Sequence, residues 1–166
     1  MKKLKNSELN RISIEEFKNS SKTPIKVLLD NIRSAHNVGS IFRSCDAFLI
    51  DEIILCGITA KPPNKEIRKT ALGSTDSVKW SYFENIKDAI LKLKQEKYQI
   101  ISVEQADKST DLKKFKIQSK KKYAIIFGNE INGVNQKVID MSDDVVEIPQ
   151  FGTKHSFNVS VSVGIV

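Results

Sequence analysis

Six short apolar runs, separated by helix-like stretches, constrain this chain more than any other feature. Residues 25–29, 53–56, 78–83, 98–103, 123–127 and 145–148 are rich in β-branched and aromatic side chains, and runs of that length read as buried strands. Between them, residues 38–48, 65–72, 86–96 and 136–141 carry helical periodicity, with Asn64 and Asn135 as caps and Gly73 as a stop. Alternation of this kind predicts an α/β fold: a mainly parallel sheet with helices on both faces. Near the start, Ser13-Ile14-Glu15-Glu16 has capping-box spacing and predicts a short helix over 14–19, which Thr23-Pro24 should end. A length of 166 residues against ~150 per domain leaves room for one domain. The expected division is an N-terminal helical extension over 1–23 and a single folded domain over 24–166.

Several chemistries are disfavoured at once. The seven glycines form no G-x-G and no G-x-x-x-x-G-K-[ST], which argues against a dinucleotide fingerprint and a P-loop. Neither H-E-x-x-H nor G-x-S-x-G occurs, and no Cys-His nucleophile pair is apparent. Cys45 and Cys56 form no C-x-x-C, and with only two histidines a metal site is not expected. No apolar run approaches the ~18 residues of a membrane span, and Met1-Lys2-Lys3-Leu4-Lys5-Asn6 leads into polar residues rather than a secretory core. A cytoplasmic, reduced environment with no membrane partner is the expectation.

Three polar blocks each follow or end a strand: residues 31–46 (NIRSAHNVGSIFRSCD), 127–135 (FGNEINGVN) and 148–162 (IPQFGTKHSFNVSVS). Ligands of open parallel sheets bind beyond the carboxyl ends of the strands. Parallel strands would therefore gather these distant blocks on one rim, in a single site.

The blocks resemble the SpoU-type, or TrmH-like, RNA ribose 2′-O-methyltransferases of the SPOUT class. The resemblance runs from about Ile25 to Val166 and keeps three motifs in order. They are Asn37-Val38-Gly39-Ser40-Ile41-Phe42-Arg43 with Cys45-Asp46-Ala47, then Phe127-Gly128-Asn129-Glu130 with Gly133, then Ile148-Pro149 with Ser156-Phe157-Asn158-Val159-Ser160. It implies a SPOUT methyltransferase domain over 24–166, with a C-terminal trefoil knot that binds S-adenosyl-L-methionine, normally in a homodimer. Knots are rare exceptions to ordinary chain topology, and nothing in the periodicity points to one. The resemblance also implies a helix starting near Asn158, although Val159, Val161, Val163 and Ile165 alternate with small residues as a strand would. The helix is preferred, because packing can override β-branched propensity.

The implied chemistry is methyl transfer to a ribose 2′-hydroxyl, in which positioning comes first. By resemblance, Val103, Gly128, Ile148 and Phe157 lie where the cofactor is held; as plain sequence they read equally as strand-end or core residues. Gly128→Val should then prevent cofactor binding. Asn37, Arg43, Glu130, Ser156 and Asn158 are the implied catalytic set. Arginine is effectively always protonated, so Arg43 suits stabilisation of a developing oxyanion and of the adjacent phosphate better than proton abstraction. Asn37 and Asn158 would flank it with amide hydrogen bonds, Glu130 supply a carboxylate and Ser156 a hydroxyl. Helix caps, a solvated loop acid and a turn serine are the bland alternatives. His36 and His155 adjoin the motifs as candidate RNA contacts.

A net charge of +7 fits an anionic partner, although 23 of the 27 basic residues are lysine. The run Lys113, Lys114, Lys116, Lys120, Lys121, Lys122 reads equally as a solubilised loop or an RNA-facing patch. The chain stops about eight residues past Asn158, sooner than the family's closing helix normally does. The segment before Pro24 is too small for a separate RNA-binding domain, so the catalytic domain itself should grip RNA, and tRNA is favoured over rRNA. A non-catalytic RNA-binding relative is the alternative, against which the whole polar set argues. A base-modifying enzyme of the same class is disfavoured by Ser156-Phe157-Asn158.

Overall fold

The computed structural model describes all of residues 1–166. Seven strands form one sheet: β1 (Thr23–Asp30), β2 (Ile50–Cys56), β3 (Trp80–Phe83), β4 (Tyr98–Val103), β5 (Thr110–Asp111), β6 (Lys122–Phe127) and β7 (Asp144–Glu147). They lie in the order β3-β2-β1-β6-β4-β7-β5, and every pairing is parallel. The helices are α1 (Ile14–Asn19), α2 (Ala35–Ala47), α3 (Lys65–Ala71), α4 (Ser74–Ser77), α5 (Ile86–Gln95), α6 (Gln136–Ile139) and α7 (Val159–Ile165). None is long and apolar enough to cross a membrane.

Strand side chains alternate between two cores. Val27, Leu29, Ile53, Leu55 and Phe127 face one side, where α1, α2, α3 and α7 bury Phe17, Ile41, Phe42, Ile67 and Val159 against them. Leu28, Ile54, Cys56, Ala124 and Ile126 face the other, under Ile90 and Leu93 of α5 and Val138 of α6. A strand apolar on both faces is what a sheet covered on both sides requires, and it is why these runs read as continuous rather than alternating. Gly39 lets α2 meet α3: a Cβ there would collide with the Ile67 carbonyl and the Thr70 hydroxyl.

Local signals explain most boundaries. Ser13 and Glu16 close the capping box of α1, Glu16 N–H donating to Ser13 Oγ at 3.1 Å and Ser13 N–H to Glu16 Oε2 at 2.7 Å. The helix ends at Asn19, before Thr23 and Pro24, which instead open β1; proline is tolerated at a strand's first residues. Leu72 and Gly73 both adopt left-handed conformations, so α3 stops at Ala71 and the short α4 follows, delaying β3 to Trp80. α2 starts earlier than its apolar pattern, at Ala35, because Ser34 caps it.

Candidate active site

β1 feeds α2 on the first face of the sheet, and its neighbour β6 feeds α6 on the second. Adjacent parallel strands whose connections leave to opposite faces open a crevice at their carboxyl ends. The loops after β1 and β6 meet in that crevice. Asn129 is their hub: its Nδ2 donates to the Asn31 carbonyl at 2.8 Å, while its Oδ1 accepts from the N–H of Ile131 at 2.9 Å and of Asn132 at 3.1 Å. Two backbone hydrogen bonds between Asn129 and Gly133 close the loop.

A cleft of about 720 Å³ opens beside this loop. Val103, Gly128, Ile148 and Phe157, the four residues expected to hold a cofactor, all line it. So do Glu130, Ser156 and Asn158 of the expected catalytic set. A Cβ at Gly128 would strike the backbone of Gly133 and Val134, so the glycine is required by closure of the loop itself.

Glu130 is not a solvated loop acid. Its carboxylate accepts from Arg33 N–H (2.9 Å), Ser34 N–H (3.1 Å) and Asn37 Nδ2 (3.1 Å), at the amino end of α2. Burial works against the charge, but these donors outweigh it and hold the carboxyl below its ordinary range. With both oxygens engaged, Glu130 orients Asn37 rather than accepting a proton. Asn37 passes the polarity on, its Oδ1 accepting from Asn158 Nδ2 at 3.2 Å. Asn158 is at the same time the cap of α7, its Oδ1 accepting from Ser160 N–H at 2.9 Å. Capping and participation in the site thus coincide at Asn158, whereas α2 is capped by Ser34 and not by Asn37.

Arg43 lies apart from this cluster. Six residues after Asn37 on a helix, it is turned about 120° away and about 9 Å along the axis. Asn37 and Asn158 bond to each other instead of flanking it. Arg43 opens onto a second cleft of about 530 Å³, which it shares with Lys69, Thr70 and Ser160. Lys69 is paired there with Glu66 at 2.8 Å, while Arg43 is exposed and has no carboxylate partner. Ser160 joins the two clefts: its hydroxyl donates to Asn158 Oδ1 at 2.6 Å, and Asn158 lines the first. His36 is held by Glu66 at 2.9 Å, and His155 lines the main cleft with its carbonyl accepting from Gln105 Nε2 at 2.6 Å.

Glu104 and Gln105 were missed by sequence reasoning. Glu104 Oε2 accepts from Val134 N–H at 2.7 Å and sits where a Gly133 Cβ would be, fixing the far side of the loop. Their position directly after β4, on the carboxyl rim, was the available signal. Cys45 and Cys56 are excluded as nucleophiles, since burial pushes both thiols up to about 12, helped at Cys56 by the Asp30 carboxylate.

The sequence model of the SpoU rRNA Methylase family matches residues 24–166. The chain belongs to that family. A relative from Borreliella burgdorferi, described as an uncharacterized tRNA/rRNA methyltransferase, is 35% identical over 153 residues, 92% of this chain and 65% of its own length. A tRNA (guanosine(18)-2′-O)-methyltransferase of Thermus thermophilus is 28% identical over 163 residues, 96% of this chain and 80% of its own. Among solved structures, an AdoMet-bound rRNA methyltransferase from Sinorhizobium meliloti superposes with a TM-score of 0.80 at 26% identity, over 90% of this chain and 57% of that one. The chain spans 62–65% of the length of the Borreliella protein and two further methyltransferase relatives. In this SpoU-family chain the Glu130–Asn37–Asn158 cluster stands beside the cleft.

Proposed function

We propose that this SpoU-family chain is an S-adenosylmethionine-dependent RNA methyltransferase acting on a ribose 2′-hydroxyl. The observation that carries the reading is the Glu130–Asn37–Asn158 chain of hydrogen bonds, which joins all three motifs at the mouth of one cleft. The cleft is within the 300–1,000 Å³ typical of cofactor sites. Val103, Ile148 and Phe157 give it apolar walls and Ser156 and Asn158 an amide and hydroxyl rim, a mix that suits a nucleoside bearing a charged amino-acid tail. When bound, S-adenosylmethionine supplies an electrophilic methyl group on a sulfonium.

The chain's own residues position the acceptor. Ser156, exposed on the cleft wall, and Asn158, oriented by Asn37, present hydrogen-bonding groups to a ribose. Arg43, one helix face away on the second cleft that Ser160 joins to the first, grips a phosphate of the adjoining strand and so orients the ribose, while the 2′-oxygen loses its proton to water or to a phosphate oxygen. Glu130 stays ionised and sets the amide geometry. For the RNA, tRNA is the first substrate to try: the tRNA-directed Thermus relative is matched over 80% of its length, the rRNA-directed Sinorhizobium structure over 57%.

The finer architecture follows the same reading. After β7, beyond β4 in the sheet, the chain returns across the carboxyl ends of β4 and β6 so that α7 packs on α2. The Gln105–His155 contact lies on that path, and threading there would tie the trefoil knot. Val161 and Ile165 remain exposed on α7, an apolar face suited to a homodimer, and the 1–23 segment is an extension docked through Phe17. Calorimetric titration with S-adenosylmethionine tests the cleft. Binding by the wild type, and its loss in Gly128→Val through collapse of the 128–134 loop, is the expected result; no binding by the wild type overturns the reading.

A further inference from the structure

Phe151 is the most exposed large apolar side chain in the protein after the terminal Met1, with 91% of its surface in solvent. A lone exposed aromatic is ordinary, but the position of this one is not. Its neighbour Gln150 lines the main cleft, while the Phe151 ring points outward from the same loop. Lys113 Nζ stands 6.0 Å from the ring centroid. That lysine is held in place: Leu112 N–H donates to the Glu147 carbonyl at 2.9 Å, and Lys113 N–H to Asp111 Oδ1 at 2.7 Å, which pins the turn after β5 to the end of β7.

Local charge is one-sided. Residues 149–157 contain Lys154 and His155 and no acid. On the neighbouring strands, Asp111 accepts from the Lys113 N–H and Glu147 from the Ser109 hydroxyl. The fold also divides the lysine run that the sequence left open. Lys113 and Lys114 follow β5 at the carboxyl rim beside the cleft, whereas Lys122 opens β6 at the opposite rim, with its Nζ over the Tyr98 ring. Only the first part of the run is placed to meet a substrate that enters the cleft.

An exposed ring beside a nucleotide-sized cleft, with a lysine at one side and no acid in its own loop, has the chemistry of a stacking platform for single-stranded nucleic acid. We infer that Phe151 stacks a base of the RNA strand adjoining the target nucleotide, and that Lys113 contacts the neighbouring phosphate. This rests on the RNA-directed reading above and extends it to how the strand leaves the site. Stacking accepts any base, so Phe151 contributes affinity, and sequence choice is made elsewhere.

The test is fluorescence anisotropy with a labelled 12-nucleotide oligouridylate, titrated at several salt concentrations into wild type, Phe151→Ala, Phe151→Trp and Lys113→Ala. Phe151→Ala should bind about tenfold more weakly with an unchanged salt slope, and Phe151→Trp should recover wild-type affinity. Lys113→Ala should weaken binding and reduce the log–log salt slope by about 0.7, one phosphate contact on a single strand. Equal oligonucleotide affinity of Phe151→Ala and wild type overturns the platform, as does failure of the wild type to bind the oligonucleotide at low salt. Sedimentation velocity covers the rival occupant: loss of self-association in Phe151→Ala with RNA affinity intact makes the ring a chain-to-chain contact and overturns the inference. Calorimetry with S-adenosylmethionine on the same preparations separates the two readings. Loss of cofactor binding in the wild type fails the proposed function, while intact cofactor binding with an indifferent Phe151→Ala fails the platform alone.

Discussion

Toward the amino end of β1, Lys26 donates to Glu52 on β2 at 2.6 Å, with Asp51, Glu96 and Lys79 around the pair. Beyond the carboxyl end of the same strand, Glu130 is held by two backbone N–H groups and the Asn37 amide, with no cation. Both regions set a carboxylate against burial and both keep it charged, by different means. Burial opposes ionisation of Glu52, and Lys26 overcomes it with a full opposite charge; burial likewise opposes the charge on Lys26, and Glu52 outweighs it. The result is a closed pair with nothing left to offer a ligand. Glu130 is balanced by dipoles, so its order passes through Asn37 to Asn158 and reaches the cleft as a directed amide. A buried polar group that ends in its partner serves the fold, and one whose hydrogen bonds lead outward serves a site.

Breaking the amino-end pair should produce the largest loss of stability. Glu52→Ala removes the 2.6 Å partner of Lys26, which is only 8% exposed, and leaves it Asp51 at 3.9 Å and Glu96 at 3.8 Å, so urea denaturation should show a loss of about 3 kcal/mol, the low end for a broken buried pair. Cofactor affinity of the folded fraction should not change. At the other end the effects fall on activity. Arg43→Ala, on an exposed position, should alter stability by no more than about 0.5 kcal/mol and leave S-adenosylmethionine affinity unchanged, yet reduce methyl transfer about 10²-fold through lost positioning of the RNA. Equal turnover would remove Arg43 from the mechanism. Glu130→Gln should cost about 1–3 kcal/mol, because an amide cannot accept from all three donors, and it should lower kcat more than the stability loss explains.

The smallest effect sharpens the contrast through pH. Glu130 has a lower folded than unfolded value, so its stabilisation is complete above the ordinary 4.5 and disappears as pH falls through the lowered value. Glu52 has the same sign. Unfolding free energies measured from pH 7 down to the acid limb should therefore decline less steeply in Glu130→Gln than in wild type, with the Glu52 component remaining. Parallel curves would mean that Glu130 is not held as a carboxylate.

Much of the fold and of the shared rim is legible in the sequence. Continuous apolar runs announced a sheet buried on both faces, Asn64 and Asn135 marked helix starts, and loops following parallel strands had to share a rim. The C-terminal helix was hidden by the alternation of valine with small residues. Its packing positions, Val159, Val163 and Val166, are spaced four and three apart and lie against the core under α2, and the Asn158 cap decides the matter. Gly128 was seen, but the backbone it must avoid is five residues ahead and visible only in the closed loop. Arg43 was assigned beside Asn37 from motif membership, whereas helical phase turns it onto another face. Glu104 carried no motif at all, and only its hydrogen bond to Val134 shows its part.

Incubating the purified protein with S-adenosylmethionine and tRNA, digesting to nucleosides and separating the products by mass spectrometry tests the central claim most directly. A ribose-methylated nucleoside that is absent with Arg43→Ala is the predicted result. Methylation confined to a base, or none on tRNA or on rRNA by a protein that binds the cofactor, would contradict it.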